Sequence, residues 1–210
     1  RTAPASSRAL AASGSGTCCR SSRRMAVFTP VSRDEASAFV ARLGVGVLTD
    51  LRGIQAGIEN SNFFVDTLDN GTSRHWVLTV FERLTFEQLP FYLELMRHLA
   101  RRGIPVPMPQ ADAAGAILHA LEGKPAALVD RLPSGHQLAP DADHCAQVGA
   151  MLARMHEAGR DFPLQQPNLR GLAWWVDTVP QVLPHVSEPE ATLLRSELAF
   201  QQQLAASPAY

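Results

Sequence analysis

Two β-rich runs, NSNFFVDTL and HWVLTVFERL, flank the turn signal DNGTS within residues 60–84, and this arrangement limits the fold more than any other part of the chain. An Asn-Gly pair accepts left-handed backbone at both central positions of a two-residue turn, the geometry that matches strand twist, so the runs read as an antiparallel hairpin. A third β-rich run, VGVLTDLRGI, reaches the hairpin through QAGIE. Three consecutive antiparallel strands are the expected nucleus.

Helical signals bracket this nucleus. SRDEASAFVARLG places Ser32 three residues before Glu35, a capping box, ahead of apolar residues at helical spacing and a terminal glycine. TFEQLPFYLELMRHLARRG is an amphipathic helix ending at Gly103, with Arg97, His98, Arg101 and Arg102 where they complement the helix dipole. The prolines of IPVPMPQ force an extended crossing segment, and GAILHALEGKPAALVDRL then reads as a hairpin turning at residues 122–124. After LPSGHQLAP the pattern becomes helical, first in DADHCAQVGAMLARMHEAG and again from Ala173 and from Glu188. The chain is expected to be α+β, with a five-stranded antiparallel sheet and one helix inserted among the strands over residues 25–135. Residues 136–210 are expected to open a helical region. Residues 1–24, rich in Ala, Ser, Gly and Arg, bury too little surface to offset ordering entropy and are expected to be a disordered leader. Their Arg-rich, acid-free composition imitates a transit peptide, but retained sequence upstream of a start at Met25 is the preferred reading.

Charge and cysteines exclude several classes. With 19 basic and 20 acidic residues the net charge is −1, which gives no broad field for nucleic acid or an anionic membrane. No apolar run approaches the roughly 18 residues that a membrane span needs. Cys18, Cys19 and Cys145 form no zinc-type spacing and read as reduced, cytosolic thiols, Cys145 as a small buried hydrophobe. No metal set is discernible.

Within residues 57–62, Gly57, Glu59, Asn60, Ser61 and Asn62 offer small or short polar side chains that let a phosphate approach backbone N–H groups. An ordinary strand connection is the competing reading. His156 lies near Leu152 and Met155 and reads as a satisfied structural histidine. Trp174 and Trp175 read as packing anchors or as pocket walls.

The segments GIENSNFFV, HWVLTVFERLTFEQLPFYLELMRHLARRGIPVPMP, GKPAALVDRLPSG and VGAMLARMHEAGRDFP occur in the order of a kinase N-lobe and its sequel. They resemble the bacterial homoserine kinase family, within the protein-kinase-like superfamily of aminoglycoside phosphotransferases, from Met25 to about Tyr210. The resemblance implies transfer of the ATP γ-phosphoryl group to the hydroxyl of homoserine, with Mg²⁺, in a cytoplasmic enzyme of threonine biosynthesis. It implies that Gly57, Glu59, Asn60, Ser61 and Asn62 cover the phosphates, that Asp130 and Leu132 present backbone groups to adenine, and that Val77 lies near the ring. Asn168 and Arg170 are candidates for the substrate carboxylate.

The sequence departs from the superfamily in two places. The third-strand position that often bears Lys or Arg falls on Thr79. The nearest cations are Arg83, either a phosphate partner or a surface residue, and Lys124, the only lysine, read as a solvated turn residue. Glu94 lies on the helix that would supply a glutamate partner, but Tyr92 occupies the expected position. The HxD…N loop and metal-binding Asp of the superfamily are expected beyond Tyr210, so no catalytic or metal residue is nominated. Two alternatives stay open: a kinase for another acceptor, of the choline or aminoglycoside type, and a non-catalytic nucleotide-binding or interaction module.

Overall fold

In the computed structural model, residues 29–55, 59–133, 135 and 139–207 are described. The 1–24 leader, Cys18, Cys19 and Gly57 fall outside them. The chain divides into two units, Arg1–Pro140 and Asp141–Tyr210.

The first unit begins with α1 (Arg33–Leu43), whose Ser32 side chain accepts from the Glu35 N–H while Glu35 reaches back to the Ser32 backbone. The predicted capping box is therefore formed. Strands β1 (Val47–Gly53), β2 (Asn60–Asp69) and β3 (Thr72–Phe81) follow, then α2 (Leu89–Arg101), β4 (His119–Leu121) and β5 (Lys124–Asp130). The sheet order is β1-β2-β3-β5-β4 with every pair antiparallel. Asn70 and Gly71, at φ 47° and 81°, close the β2–β3 hairpin as the DNGTS signal requires. Pro109 bridges to Val129, so the proline-rich segment runs extended along β5. The second hairpin turns on Glu122 and Gly123, and Lys124 is already the first residue of β5, opposite Leu121. This corrects the placement of Lys124 in a turn.

Strand alternation gives the sheet two different faces. On one, Ala36, Phe39, Val40 and Leu43 of α1 pack against Val65, Leu78 and Leu128 in the main core. The other face is covered over part of its width by α2, where Leu93 meets Ile117 and Ala127, with Phe81 and Met96 alongside. The rest of that second face, towards β2, is half-buried.

The second unit contains α3 (Ala142–Gly159), α4 (Leu172–Val182), a 3-10 turn at Leu183–His185 and α5 (Glu188–Ala205). Asp141 and Ser187 start α3 and α5 with capping boxes, the first completed by a histidine, His144. One correction arises on α3: Cys145 is exposed rather than buried; His156, read as a structural histidine, is exposed on the same helix. No helix among the described residues is long and apolar enough to cross a membrane.

Two features of the first unit make its stability testable. At Gly46, φ is +104° and an added Cβ would lie 2.6 Å from the Leu68 carbonyl oxygen, against a backbone fixed by β1–β2 pairing. Gly46→Ala is expected to cost about 2–3 kcal/mol in urea unfolding, and a loss below about 0.5 kcal/mol would show that the β1 approach relaxes freely. His119 is buried edge-on to Phe39, with ring centroids 5.6 Å apart, and its Nε2 has no hydrogen-bond partner. Burial, then the charge of Arg42, holds its imidazole below the usual 6.5, against the opposing pull of Asp112 and the Gln110 backbone. The folded value lies below the unfolded one, so this contribution to stability is complete above about pH 6.5 and is lost as pH falls through the folded value. The melting temperature of wild type is expected to fall between about pH 7 and pH 5 more steeply than that of His119→Phe, and parallel profiles would contradict this origin.

Candidate functional site

The half-buried part of the second sheet face is built by register. The ten-pair ladder between β2 and β3 sets Asn60 opposite Phe81, Asn62 opposite Thr79 and Phe64 opposite Val77, so these six side chains share one face. The Thr79 hydroxyl donates to the Asn62 side-chain carbonyl at 2.8 Å, and the Asn62 amide donates to the Asn60 carbonyl at 3.4 Å. Beside this polar strip, Phe64 and Val77 give an apolar floor, with the Arg131 guanidinium 4.2 Å from the Phe64 ring centroid. Further along, Asp66 is held by His75 at 2.7 Å and Arg52 at 3.3 Å. The His75 hydrogen bond is the main reason the Asp66 carboxyl sits below the usual carboxylate range, against the opposing effect of burial. At the end of β5, His75, Arg131, Leu132 and Pro133 line an open cleft of about 560 Å³. An apolar floor edged by amide and hydroxyl groups suits a flat heterocycle with a polar tail.

The candidates divide by face. Asn60, Asn62, Val77 and Thr79 are brought together, and Leu132 borders the cleft. Glu59 is half-buried just before β2. Ser61 points the other way: it is fully buried on the α1 side, so its side chain cannot join the strip. The Asp130 N–H is taken by the Met108 carbonyl at 3.2 Å and its carboxylate by Gln110 at 3.0 Å, so that amide is not open to a base. Arg83 is exposed beyond the end of β3. Glu94 pairs with Arg97 on its own helix, which occupies it without any cation from the sheet. In the second unit, Asn168 accepts from the Arg170 N–H at 3.0 Å in a turn leading into α4, and the Arg170 guanidinium lies 5.4 Å from the Trp174 ring centroid.

Lys124 is tied into the sheet and is not a solvated turn residue. Its amine donates to Glu82 and, at 2.7 Å, to the Thr29 hydroxyl. Ser61 donates to Glu82 at 2.6 Å and accepts from the Thr29 N–H at 2.9 Å. The signal available in the sequence was parity: Ser61 shares the face of Phe63, and Glu82 that of Val80. Among the described residues, no group of three or more His, Cys, Asp or Glu side chains is placed to hold a metal ion. The carboxylate on the strip's own face, Asp66, is committed to His75 and Arg52. These residues do not fit a protein-held Mg²⁺.

Comparison with known proteins gives the class directly. The phosphotransferase enzyme family matches residues 50–209, and the chain belongs to that family. The chain is 61% identical over 186 residues to a homoserine kinase of Polaromonas naphthalenivorans (strain CJ2), covering 89% of this chain and 58% of that one. It is 56% identical over 186 residues to a homoserine kinase of Cupriavidus necator, covering 89% of this chain and 56% of that one. The chain thus spans less than two thirds of the length of these curated relatives. A crystal structure of spectinomycin phosphotransferase APH(9)-Ia, in complex with ADP and spectinomycin, superposes with a TM-score of 0.54 at 15% identity, over 85% of this chain and 55% of that one. That likeness fixes the fold as α+β and protein-kinase-like.

The Asn62–Thr79 tie is testable on its own. Thr79→Val removes the hydroxyl donor and is expected to cost about 1 kcal/mol in chemical denaturation. A double-mutant cycle with Asn62→Leu is expected to give a coupling energy of about 0.5–1 kcal/mol, and a coupling of zero would mean that the two side chains do not act as a pair.

Proposed function

We propose that the protein to which these residues belong is a homoserine kinase, transferring the γ-phosphoryl group of ATP to the side-chain hydroxyl of L-homoserine as a step toward threonine. The observation that carries this reading is the identity of 52–61% to homoserine kinases, maintained over 177 or 186 residues and through both units. Resemblance confined to a nucleotide-binding sheet would support a kinase only in general. Identity at this level over 89% of the chain favours one acceptor over the choline or aminoglycoside alternatives.

In this reading the second sheet face receives ATP. Val77 and Phe64 supply the apolar floor for the base, Leu132 borders it, and Asn60, Asn62 and Thr79 line the way toward the phosphates. The chain's contribution to the reaction is positioning, which accounts for much of catalysis in phosphoryl transfer. A bond forms between the acceptor oxygen and the γ-phosphorus, the bond to the β–γ bridging oxygen breaks, ADP departs and the hydroxyl proton is released. Mg²⁺ would enter on the nucleotide phosphates, since its preference is for phosphate oxygens plus one or two carboxylates. Asn168 and Arg170 are proposed for the acceptor carboxylate, Arg170 being the positive charge beside Trp174. The enzyme is placed in the cytoplasm, where ATP is available.

A coupled ATP-consumption assay tests the reading on the 210-residue chain and on a form extended to the length of its relatives. Homoserine-dependent turnover is expected in the extended form and less than about a hundredth of it in the 210-residue chain, because none of the described residues is assigned as the base or the metal ligand of the transfer. Turnover of choline or an aminoglycoside, with none of homoserine, would reassign the acceptor. In the extended form Asn62→Leu is expected to raise the KM for ATP about tenfold and leave that for homoserine within about twofold.

A further inference from the structure

At one end of the α1 face of the sheet, Thr29, Ser61, Glu82 and Lys124 close a ring of hydrogen bonds. The Thr29 N–H donates to the Ser61 hydroxyl, Ser61 donates to Glu82, and Lys124 donates both to Glu82 and to the Thr29 hydroxyl. Each member comes from a different place: the approach to α1, the start of β2, the residue after β3 and the first residue of β5. Ser61 and Thr29 are buried, and the side chains of Glu82 and Lys124 are 11% and 40% exposed.

Stability alone does not account for such a group. A partly exposed ion pair contributes about 0–1 kcal/mol, and well-packed apolar side chains often do as well in its place. What a closed polar ring adds is direction. Ser61 sits between Asn60 and Asn62, and in a strand successive side chains point to opposite faces. Fixing the Ser61 hydroxyl on the α1 face fixes the aim of Asn60 and Asn62 on the other. Burial would push the Glu82 carboxyl up, but hydrogen bonds from Lys124, Ser61 and Thr29 outweigh it and hold the group ionised.

We propose that Lys124 and Glu82 are positioning residues which, acting through Ser61, aim Asn60 and Asn62 at the phosphates of a bound nucleotide. The proposal rests on the nucleotide-binding reading above, and it gives the chain's only lysine a role from behind the strand that it cannot fill by touching phosphate.

The test uses the 210-residue chain with two probes, ADP and adenosine, which differ by the phosphates alone. Lys124→Met is expected to weaken ADP binding about tenfold and adenosine binding by less than about twofold, with Lys124→Arg restoring most of the loss. Amide hydrogen exchange is expected to quicken at residues 60–62 and to stay unchanged at residues 68–72, the far end of the same hairpin. If Lys124→Met does not fold, Glu82→Gln, which keeps an acceptor for Ser61, is expected to give the same ADP-selective loss in smaller measure. Equal weakening of both ligands, with faster exchange along the whole hairpin, would reduce the ring to a structural clamp and overturn the proposal. So would a Lys124→Met variant that binds ADP as tightly as wild type. A wild-type chain that binds neither ligand would instead overturn the nucleotide reading, and the role given to the ring with it.

Discussion

The β2–β3 ladder is the constraint on which the rest of the first unit depends. Ten consecutive residue pairs run from Asn60–Phe81 to Asp69–Thr72, closed by a turn whose two central residues both have positive φ. A slip of one residue would exchange the faces of every side chain on a strand. A slip of β2 would take Val65 out of the α1 core and put Asn62 into it, and a slip of β3 would do the same with Leu78 and Thr79. The same register that buries the core thus creates the polar strip, and the two cannot be altered separately. Trp76 strengthens this arrangement from within, since its indole N–H donates to the Thr67 hydroxyl at 2.9 Å, and Thr67 in turn donates to the Val45 carbonyl at 2.8 Å.

Much of this was legible in the sequence because its signals are local. The Ser32–Glu35 box, the Asn70–Gly71 turn and the helix ending at Gly103 each lie within a few residues of the structure they specify. What was not legible depends on partners far away in the chain. Lys124 meets Thr29 across 95 residues and Glu82 across 42, and nothing within its own hairpin announces either contact. Ser61 shares its composition with Asn60 and Asn62, but alternation sends it to the other face. The Asp130 N–H is likewise met from a distance, by the Met108 carbonyl of the proline-rich segment. The Lys124 contacts are decided by pairing between distant segments, the face of Ser61 by alternation within its own strand.

The superposition on a phosphotransferase at 15% identity shows how little sequence is needed to keep this sheet-and-helix pattern. The alternation and turns that define the sheet tolerate wide replacement, whereas the 61% identity to a homoserine kinase is held over 186 residues. Within the strip the Thr79 hydroxyl donates to the Asn62 side chain.

The two margins of the sheet carry a consequence of another kind. One margin is β1, which is interrupted by a bulge between Leu48 and Asp50 and carries the Asp50–Arg52 ion pair, 2.6 Å apart; the other, β4, is only three residues long. Bulges, charges and short strands are the means by which a sheet avoids offering an open row of backbone groups to another chain. Despite five strands and a largely apolar interior, neither margin is a good template for strand addition. Self-association of this unit would therefore have to proceed through side-chain surfaces, not through growth of the sheet.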